Sequence, residues 1–311
     1  MWRQFWLAPI KCGIVFYMGR QQNIIHFCYI PFTGVGLYGG YRGDEWYRYR
    51  IQLFKDFTLK SLLNQSQKNF VLWISFRPEE ENNSLTAELA NWLKEKELNY
   101  IFTFNGLMYW DDKFSKGILQ KVKNCGRIVR GCWRNKTWNN FFSSIKEIYI
   151  DKNSTLKMRL SESLGFLKKY FSEADWIYVT RLDSDDMFHQ SAFEEIQAVL
   201  PFLGALTYHR GFVYNKDTDE IAEYHPKTNP PFHTIIFDNK TFFNAKNYLA
   251  YFKDFKSHED ISRIFTSIQL SDWRYCVLTD NSKHHISTIW NHPFKGEKVI
   301  NKRYILSEFG I

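Results

Sequence analysis

The chain has 311 residues, of which 44% are hydrophobic, 18% aromatic and 24% charged. This balance excludes an intrinsically disordered chain and is sufficient for a sizeable buried core. Lysine and arginine outnumber aspartate and glutamate by 41 to 33, so the formal net charge of +8 favours anionic ligands. Because no run of five basic residues and no zinc-finger or RNA-binding signature accompanies this charge, we expect no nucleic-acid partner.

Cysteine usage and the N-terminal residues bear on location. Five cysteines are spread thinly over the chain, and this odd number argues against a disulfide framework and favours a reducing, cytoplasmic compartment. Residues 1–22 are rich in apolar and aromatic side chains but contain Arg3 and Lys11, a pattern typical of neither a spanning helix nor a signal peptide. We expect a packed extension, with peripheral contact to the inner face of a membrane as the alternative.

The first hundred residues alternate predicted strands and helices. Apolar runs predict buried strands at residues 24–32, 70–76 and 99–104. Between them, apolar residues at three- and four-residue spacing predict a helix from Asp44 and another that Ser84 caps. This alternation predicts a parallel sheet that is covered on both faces.

The pattern continues with a helix around residues 156–167 and a strand at 175–182, and a capping box formed by Ser191 and Glu194 then opens the next helix. Beyond Gly204 the pattern becomes mixed. It predicts short strands at 206–214 and 234–237 and helices at 244–255 and 260–268.

Three carboxylates lie within four residues, directly after the predicted strand at 175–182: Asp183, Asp185 and Asp186. Like charges this close repel, and a hard cation such as Mg²⁺ or Mn²⁺ relieves the repulsion because it prefers oxygen ligands. Such an ion assists the departure of a nucleoside diphosphate as a Lewis acid. The alternative is a solvated turn or a helix cap, and Arg181 is a possible local counter-charge.

A second Asp-x-Asp segment, Asp217-Thr218-Asp219, has the same spacing in a polar stretch between two short apolar segments. We predict a hairpin turn there.

Residues 180–186, with the sequence Thr-Arg-Leu-Asp-Ser-Asp-Asp, and the segments 50–54 and 61–73 resemble the rhamnosyltransferase family of GT-A glycosyltransferases. The resemblance extends from about residue 24 to residue 298. It implies a GT-A (Rossmann-like) fold, a mixed central sheet flanked by helices in a single domain. It also implies Mn²⁺ or Mg²⁺ and a nucleotide-diphosphate sugar as donor. The reaction we predict is transfer of rhamnose or another hexose to a glycan or lipid-linked saccharide, with inversion.

The predicted domain organisation follows from this reading. It consists of an N-terminal extension at 1–22, a glycosyltransferase domain at 23–300 and a C-terminal tail at 301–311. Within the domain, residues 23–190 form the nucleotide-sugar half and residues 191–300 the acceptor half.

For the acceptor side, the resemblance implies that Asp260 is the catalytic base and that Glu259 holds acceptor hydroxyls. An inverting transfer needs one carboxylate to take the proton of the attacking hydroxyl. The residues alone leave open a second interpretation, in which these carboxylates form the acidic first turn of a helix.

For the donor side, the resemblance implies that Asp183, Arg159 and Arg181 face the nucleotide. It assigns His292 as a further metal ligand beside the three aspartates, and Lys298 as a contact to the diphosphate. A structural histidine is the alternative for His292, and His285 is the second choice as ligand. Residues 109–112, Tyr-Trp-Asp-Asp, are predicted either to contact the base or ribose or to form a surface turn.

Two other functions compete with this prediction. Gly34, Gly36 and Gly39 form a G-x-G-x-x-G pattern after a strand, which is typical of an NAD(P)-dependent oxidoreductase. The predicted helix begins only near Asp44, however, and no acidic residue ends the second strand about 20 residues on. A non-catalytic basic module for glycan or nucleic acid is the other alternative, and it leaves the three carboxylates unexplained.

Overall fold

The computed structural model describes residues 22–33, 43–76, 80–104, 152–252, 258–280 and 295–311, together with Trp290 and a few isolated positions between 125 and 138. For residues 152–159 the backbone alone is described. Within these residues the fold is α/β, with mixed sheets flanked by helices. The predicted fold class is confirmed at that level.

The larger sheet has seven strands in the described part of the chain. They are β1 (Ile24–Pro31), β2 (Val71–Ser75), β3 (Tyr100–Thr103), β4 (Trp176–Arg181), β6 (Gly204–Thr207), β9 (His233–Asp238) and β10 (Ser267–Gln269). Their spatial order is β10-β6-β9-β4-β1-β2-β3. The pairs β1–β2, β1–β4 and β2–β3 are parallel, as predicted. Strand β9 runs antiparallel to both β4 and β6.

The smaller sheet packs beside the segment that follows β4. Its strands are β5 (Met187–Phe188), β7 (Gly211–Asn215), β8 (Glu220–Tyr224), β11 (Tyr275–Thr279) and β12 (Lys295–Lys298), in the order β12-β8-β7-β11-β5. Strands β7 and β11 are parallel, and β5 pairs with β11 antiparallel. Strand β5 begins at Met187, directly after Asp186. The first strand of the smaller sheet therefore starts where the predicted metal loop ends.

The described helices cover both faces of the larger sheet. They are α1 (Asp44–Leu53), a π-helical segment (Phe54–Thr58), α2 (Leu59–Leu63), α3 (Ser84–Glu95), α4 (Lys152–Phe171), α5 (Ala192–Ala198), α6 (Asn239–Phe242), α7 (Ala245–Tyr251), a 3₁₀ turn (His258–Asp260), α8 (Ile261–Ile264) and α9 (Lys302–Glu308).

Strand β1 shows why the sheet is covered on both sides. Its residues alternate between two buried clusters: Cys28 and Ile30 pack in the core that contains α1 and α3, and Phe27 and Tyr29 pack in the core that contains α4 and α7. Successive strand side chains point to opposite faces, so a strand buried throughout must be apolar throughout. Many of the aromatic residues lie in these cores, with Trp73 among the largest fully buried side chains.

Residues 301–311, the predicted C-terminal tail, contain α9. Leu306 and Phe309 are buried in the core of the smaller sheet. The backbone N–H of Gln190 donates to the carbonyl of Glu308 at 2.8 Å. The end of the described chain is therefore packed against the segment that follows the acidic run.

Most predicted elements occur where expected, but three local predictions are wrong. Asn83, rather than Ser84, caps α3, since its side chain accepts from the backbone N–H of Leu85. Ser191 occupies the N-cap of α5 without a side-chain cap bond, and Glu194 instead accepts from Ser66, so there is no capping box.

The third error concerns residues 260–268. The predicted single helix is a short α8 that ends at Ile264, followed by edge strand β10. The apolar residues that suggested helical spacing serve two elements, since Ile261 is buried while Ile268 is 43% exposed on the strand. The short strands predicted around residues 206–214 correspond to β6 and β7.

Candidate functional site at the carboxyl end of β4

The order of the strands creates a switch point between β1 and β4. From β1 the chain continues to β2 on one side, whereas β4 pairs with β1 on the other. In open α/β sheets, ligands bind in the crevice at the carboxyl ends of the strands at such a point. Leu182 donates its backbone N–H to Tyr29 O at 3.0 Å, so pairing with β1 continues up to the acidic run. Residues 183–186, named the acidic loop below, begin at this switch point.

The acidic loop is a tight turn tied to the smaller sheet. The backbone N–H of Asp186 donates to Asp183 O at 3.1 Å. The side chain of Asp186 is buried, and its Oδ1 accepts from the N–H of Leu278 in β11 at 3.0 Å. Burial, then the charges of Asp185 and Asp183, raise the pKa of Asp186. One oxygen of this carboxylate is therefore committed to holding the loop against β11.

Asp185 is bound by an arginine from α1. Arg50 donates from Nη1 to Asp185 Oδ2 at 2.6 Å and from Nη2 to Oδ1 at 3.1 Å. This two-point contact is the strong geometry for a guanidinium and a carboxylate. Both side chains are largely buried, with 17% and 12% exposed for Arg50 and Asp185. The charge of Asp185 is thus balanced by a cation that lies 135 residues away in sequence.

Asp183 has its own arginine. Arg181, at the end of β4, donates from Nε and Nη2 to Asp183 Oδ1 at 3.1 and 3.0 Å. Arg181 is therefore the local counter-charge that its position beside the acidic run suggested. Asp183 is the more exposed partner of the pair.

Helix α1 reaches the acidic loop because the helical segment that contains it is anchored on the residues that follow the loop. Both the π-helical segment and α2 contact β5. Ser61 Oγ accepts from the N–H of Phe188 at 3.2 Å, and Gln65 Nε2 donates to His189 O at 2.8 Å. Single π-helical turns inside helices are frequent at functional sites, and here one lies a few residues after Arg50.

A second charged cluster lies next to this contact, at the end of β11. Tyr49, the residue before Arg50, donates its hydroxyl to Asp280, and Lys216 Nζ donates to Tyr49 Oη at 3.3 Å. Lys216 Nζ is also 3.8 Å from Asp280 Oδ2. Burial lowers the pKa of Lys216, but the Tyr49 hydrogen bond and the neighbouring carboxylates outweigh it and raise the pKa overall. Two cations, Arg50 and Lys216, therefore lie along one end of α1.

The predicted acceptor segment lies close to the acidic loop. His258 precedes the two predicted carboxylates, and its Nδ1 donates to Asn229 O at 2.7 Å. Burial lowers the pKa of His258, the charge of Arg181 adds to this effect, and Asp183 opposes it. His258 therefore lies within electrostatic range of Arg181 and of Asp183, the first residue of the acidic loop.

The carboxylates of that turn have local partners. Asp260 Oδ1 accepts from Arg263 Nη2 at 3.0 Å, which is the contact of an acidic first helical turn. Glu259 Oε1 accepts from Thr228 Oγ1 at 3.4 Å. The structure thus pairs Asp260 with its own helix and Glu259 with Thr228.

The remaining predicted site residues are placed elsewhere or lie outside the described residues. Lys298, on β12, forms an ion pair with Glu220 across the smaller sheet. Arg159 lies on α4, and its side chain is among those not described. The other predicted features lie outside the described residues: His292, its alternative His285, the glycine pattern at 34–39, the run at 109–112 and residues 1–21 of the N-terminal extension.

The fit of the site to a divalent cation can be tested on its donor atoms. Carboxylate oxygens suit Mg²⁺ or Mn²⁺, and Asp183 and Asp185 present them at the switch point. Among the described residues, however, no three His, Cys, Asp or Glu side chains converge as a ready ligand set. Arginines already neutralise Asp183 and Asp185, so an ion would bind here in exchange for a guanidinium.

Unused hydrogen-bonding capacity also lies in this site. Ser184 Oγ, inside the acidic loop, is buried and has no hydrogen-bond partner among the described residues. The Nε of Arg50 is also buried and has no hydrogen-bond partner among the described residues. Buried polar atoms without partners are rare and costly in folded proteins, at about 1–3 kcal/mol each. These atoms fit a site that takes a polar ligand.

Sequence reasoning missed Arg50, Tyr49, Lys216 and Asp280 as site residues. The sequence gives Arg50 no functional role and places it only as the first residue of segment 50–54, which contributes to the family resemblance. Nothing in local spacing connects α1 with residue 185, because the contact depends on how the π-helical segment and α2 dock on β5.

No helix within the described ranges is long and apolar enough to cross a membrane. Comparison of the chain with protein-family models and with curated proteins finds no match.

Proposed function

We propose that this protein is a metal-dependent glycosyltransferase of the GT-A type. The observation that carries the proposal is the position of the acidic loop, directly after β4 at the switch point of the sheet. The sheet order supports it as well, since four parallel strands are followed by the antiparallel β9. The substrates would be a nucleotide-diphosphate sugar and a glycan or lipid-linked saccharide.

On the donor side, Asp183 and Asp185 would hold Mn²⁺ or Mg²⁺. A bound ion would neutralise the charge that develops on the departing nucleoside diphosphate. Asp186 would act mainly by fixing the loop to β11 through Leu278, which keeps the other two carboxylates in position. Arg181 would orient Asp183 toward the donor.

On the acceptor side, the hydroxyl oxygen of the acceptor would attack the anomeric carbon while the bond from that carbon to the diphosphate breaks. The hydroxyl proton would pass to Asp260, and the product would have inverted configuration. His258, two residues before Asp260, lies within electrostatic range of Asp183 and Arg181, and this supports the role of the segment. Asp260 would first have to leave Arg263, which is 61% exposed and held by a surface ion pair.

The test is a donor screen with UDP-, GDP- and dTDP-sugars in the presence of Mn²⁺. We expect release of the nucleoside diphosphate from one donor class, faster with a saccharide acceptor and abolished by EDTA. NMR of the product's anomeric proton then gives the stereochemistry. No release from any donor by folded protein, together with thermal stabilisation by NAD, would favour the oxidoreductase. Release that EDTA does not change would contradict the metal requirement.

A further inference from the structure

We propose that Arg50 is an exchangeable counter-cation, which binds Asp185 in the ligand-free protein and transfers to the donor's diphosphate when a divalent ion takes Asp185. This inference rests on the proposed function and adds to it a second anion-binding group. It also predicts how the ion and the nucleotide depend on each other.

Two cations, Arg50 and a divalent ion, would bind the same carboxylate, that of Asp185. Arg50 contacts both oxygens of Asp185, at 2.6 and 3.1 Å. A divalent ion on Asp185 would lie within a few ångströms of the guanidinium, and like charges at that separation repel strongly in a partly buried site. The ion and the arginine therefore compete for Asp185.

A phosphate group suits the displaced guanidinium of Arg50. Arginine recognises phosphate oxygens through the same two-point geometry that it uses with carboxylates. The Nε of Arg50 is buried without a partner among the described residues, so the side chain has a further donor to offer. The guanidinium carbon also lies 6.0 Å from the ring centre of Trp46, one helical turn earlier, and this ring supports the cation as it changes partner.

The exchange of Arg50 couples the binding of the divalent ion to the binding of the nucleotide. A divalent ion alone must displace Arg50 from Asp185 and leave a buried guanidinium without an anion. A nucleoside diphosphate supplies that anion, so each ligand strengthens the binding of the other. Removing the charge at position 50 should relieve the competition and also remove the phosphate contact.

The experiment measures the two affinities separately. Binding of Mn²⁺ alone is followed by the EPR signal of the free ion. Binding of UDP, GDP and dTDP at saturating Mn²⁺ is followed by calorimetry. In Arg50→Gln we expect Mn²⁺ alone to bind about fivefold more tightly, and the preferred diphosphate about tenfold more weakly, within the usual range of coupling between sites.

Two further variants serve as controls. Arg48→Gln removes the same charge from an exposed position on the same helix and should change neither affinity. Arg50→Lys keeps the charge but loses the fork, so it should leave Mn²⁺ binding weak and reduce diphosphate binding. Circular dichroism establishes that each variant is folded.

The outcomes separate this inference from the proposed function. If Arg50→Gln weakens both ligands or changes neither, Arg50 is not an exchangeable counter-cation, although the glycosyltransferase proposal stands. If the wild-type protein binds neither Mn²⁺ nor any of the diphosphates, the proposed function itself fails.

Discussion

Two segments of this protein share the spacing Asp-x-Asp and differ in almost everything else. Asp183 and Asp185 follow a buried parallel strand at the switch point of the larger sheet, and each is held by an arginine. Asp217 and Asp219 lie in the hairpin between β7 and β8, where Asp219 pairs with Lys302 on the surface.

The difference shows what the surroundings add to a short motif. Asp219 has φ of 53°, a left-handed conformation that Asp and Asn adopt in turns. The predicted hairpin is thus confirmed, and its carboxylates are explained by turn geometry. Turn geometry does not explain the carboxylates of the acidic loop, because they are partly or fully buried. A solvated turn would also not need the two arginines, Arg50 and Arg181, that bind them.

The largest expected difference between the two segments is in catalysis. Asp185→Asn should lower donor turnover with Mn²⁺ by about 100-fold or more, because it removes the charge that holds the ion. Asp219→Asn should leave turnover unchanged, since asparagine also suits the left-handed turn. The measurement is the initial rate of nucleoside diphosphate release. Equal rates in the two variants would remove the distinction between the segments.

The side chains that anchor the two segments should differ in their effect on stability. Gln65 donates to His189 O at 2.8 Å and accepts from the N–H of Phe193 at 3.1 Å, behind the acidic loop. Gln65→Leu should lower the free energy of unfolding by about 3 kcal/mol, because both buried backbone groups lose a partner. Urea denaturation measures this effect.

Asn215 is the matched anchor of the hairpin. Its Oδ1 accepts from the backbone N–H groups of Asp217 and Thr218, at 3.0 and 3.2 Å. Asn215→Ala should cost about 1 kcal/mol, since water can reach the freed groups. A larger loss for Asn215→Ala than for Gln65→Leu would reverse the proposed order of the two anchors.

The stability of strands β1 and β4, which precede the acidic loop, should also depend on pH. His26, on β1, is buried with Nε2 at 2.7 Å from Thr180 Oγ1 and Nδ1 at 2.9 Å from the amide nitrogen of Gln197. Since the amide donates to Nδ1, the ring proton lies on Nε2. Burial lowers the pKa of His26 to about 3.

The sign of the pH effect follows from proton uptake. The unfolded chain protonates this histidine near pH 6.5 and the folded chain only near pH 3, so stability falls as the pH decreases between these values. From pH 7 to pH 5 the free energy of unfolding should drop by about 2 kcal/mol from His26 alone. His26→Gln should show a shallower decrease in urea denaturation, and an unchanged slope would assign the effect to other groups.

The smallest expected effect is in the hairpin. Its ion pair between Asp219 and Lys302 is solvent-exposed, so Lys302→Gln should leave the urea midpoint unchanged. A clear shift of the midpoint would mean that the hairpin contributes more to the fold than its exposure indicates.

Much of the fold could be predicted because its signals are local. A strand such as β1, buried on both faces, reads as an unbroken apolar run, and α4 reads as leucines at helical spacing. The cap of α3 was misplaced by one residue, because Asn83 and Ser84 are both good caps and the sequence does not rank them.

The candidate site could be predicted only in part, for a physical reason. The acidic loop can be recognised in the sequence because its charges directly follow a buried strand. Arg50 cannot be recognised in this way, because its role depends on how α1 docks, and Arg50 lies 135 residues before Asp185 in the sequence. The family resemblance suggests Lys298 as a diphosphate contact, and its ion pair with Glu220 is a second contact that local sequence does not predict.

The most direct test of this account is a crystal soaked with Mn²⁺ and the nucleoside diphosphate that the donor screen selects. We predict anomalous density for manganese on the Asp185 carboxylate, with the Arg50 guanidinium bound to the diphosphate. Manganese and nucleotide bound away from residues 183–186, with the Arg50–Asp185 contact intact, would contradict it.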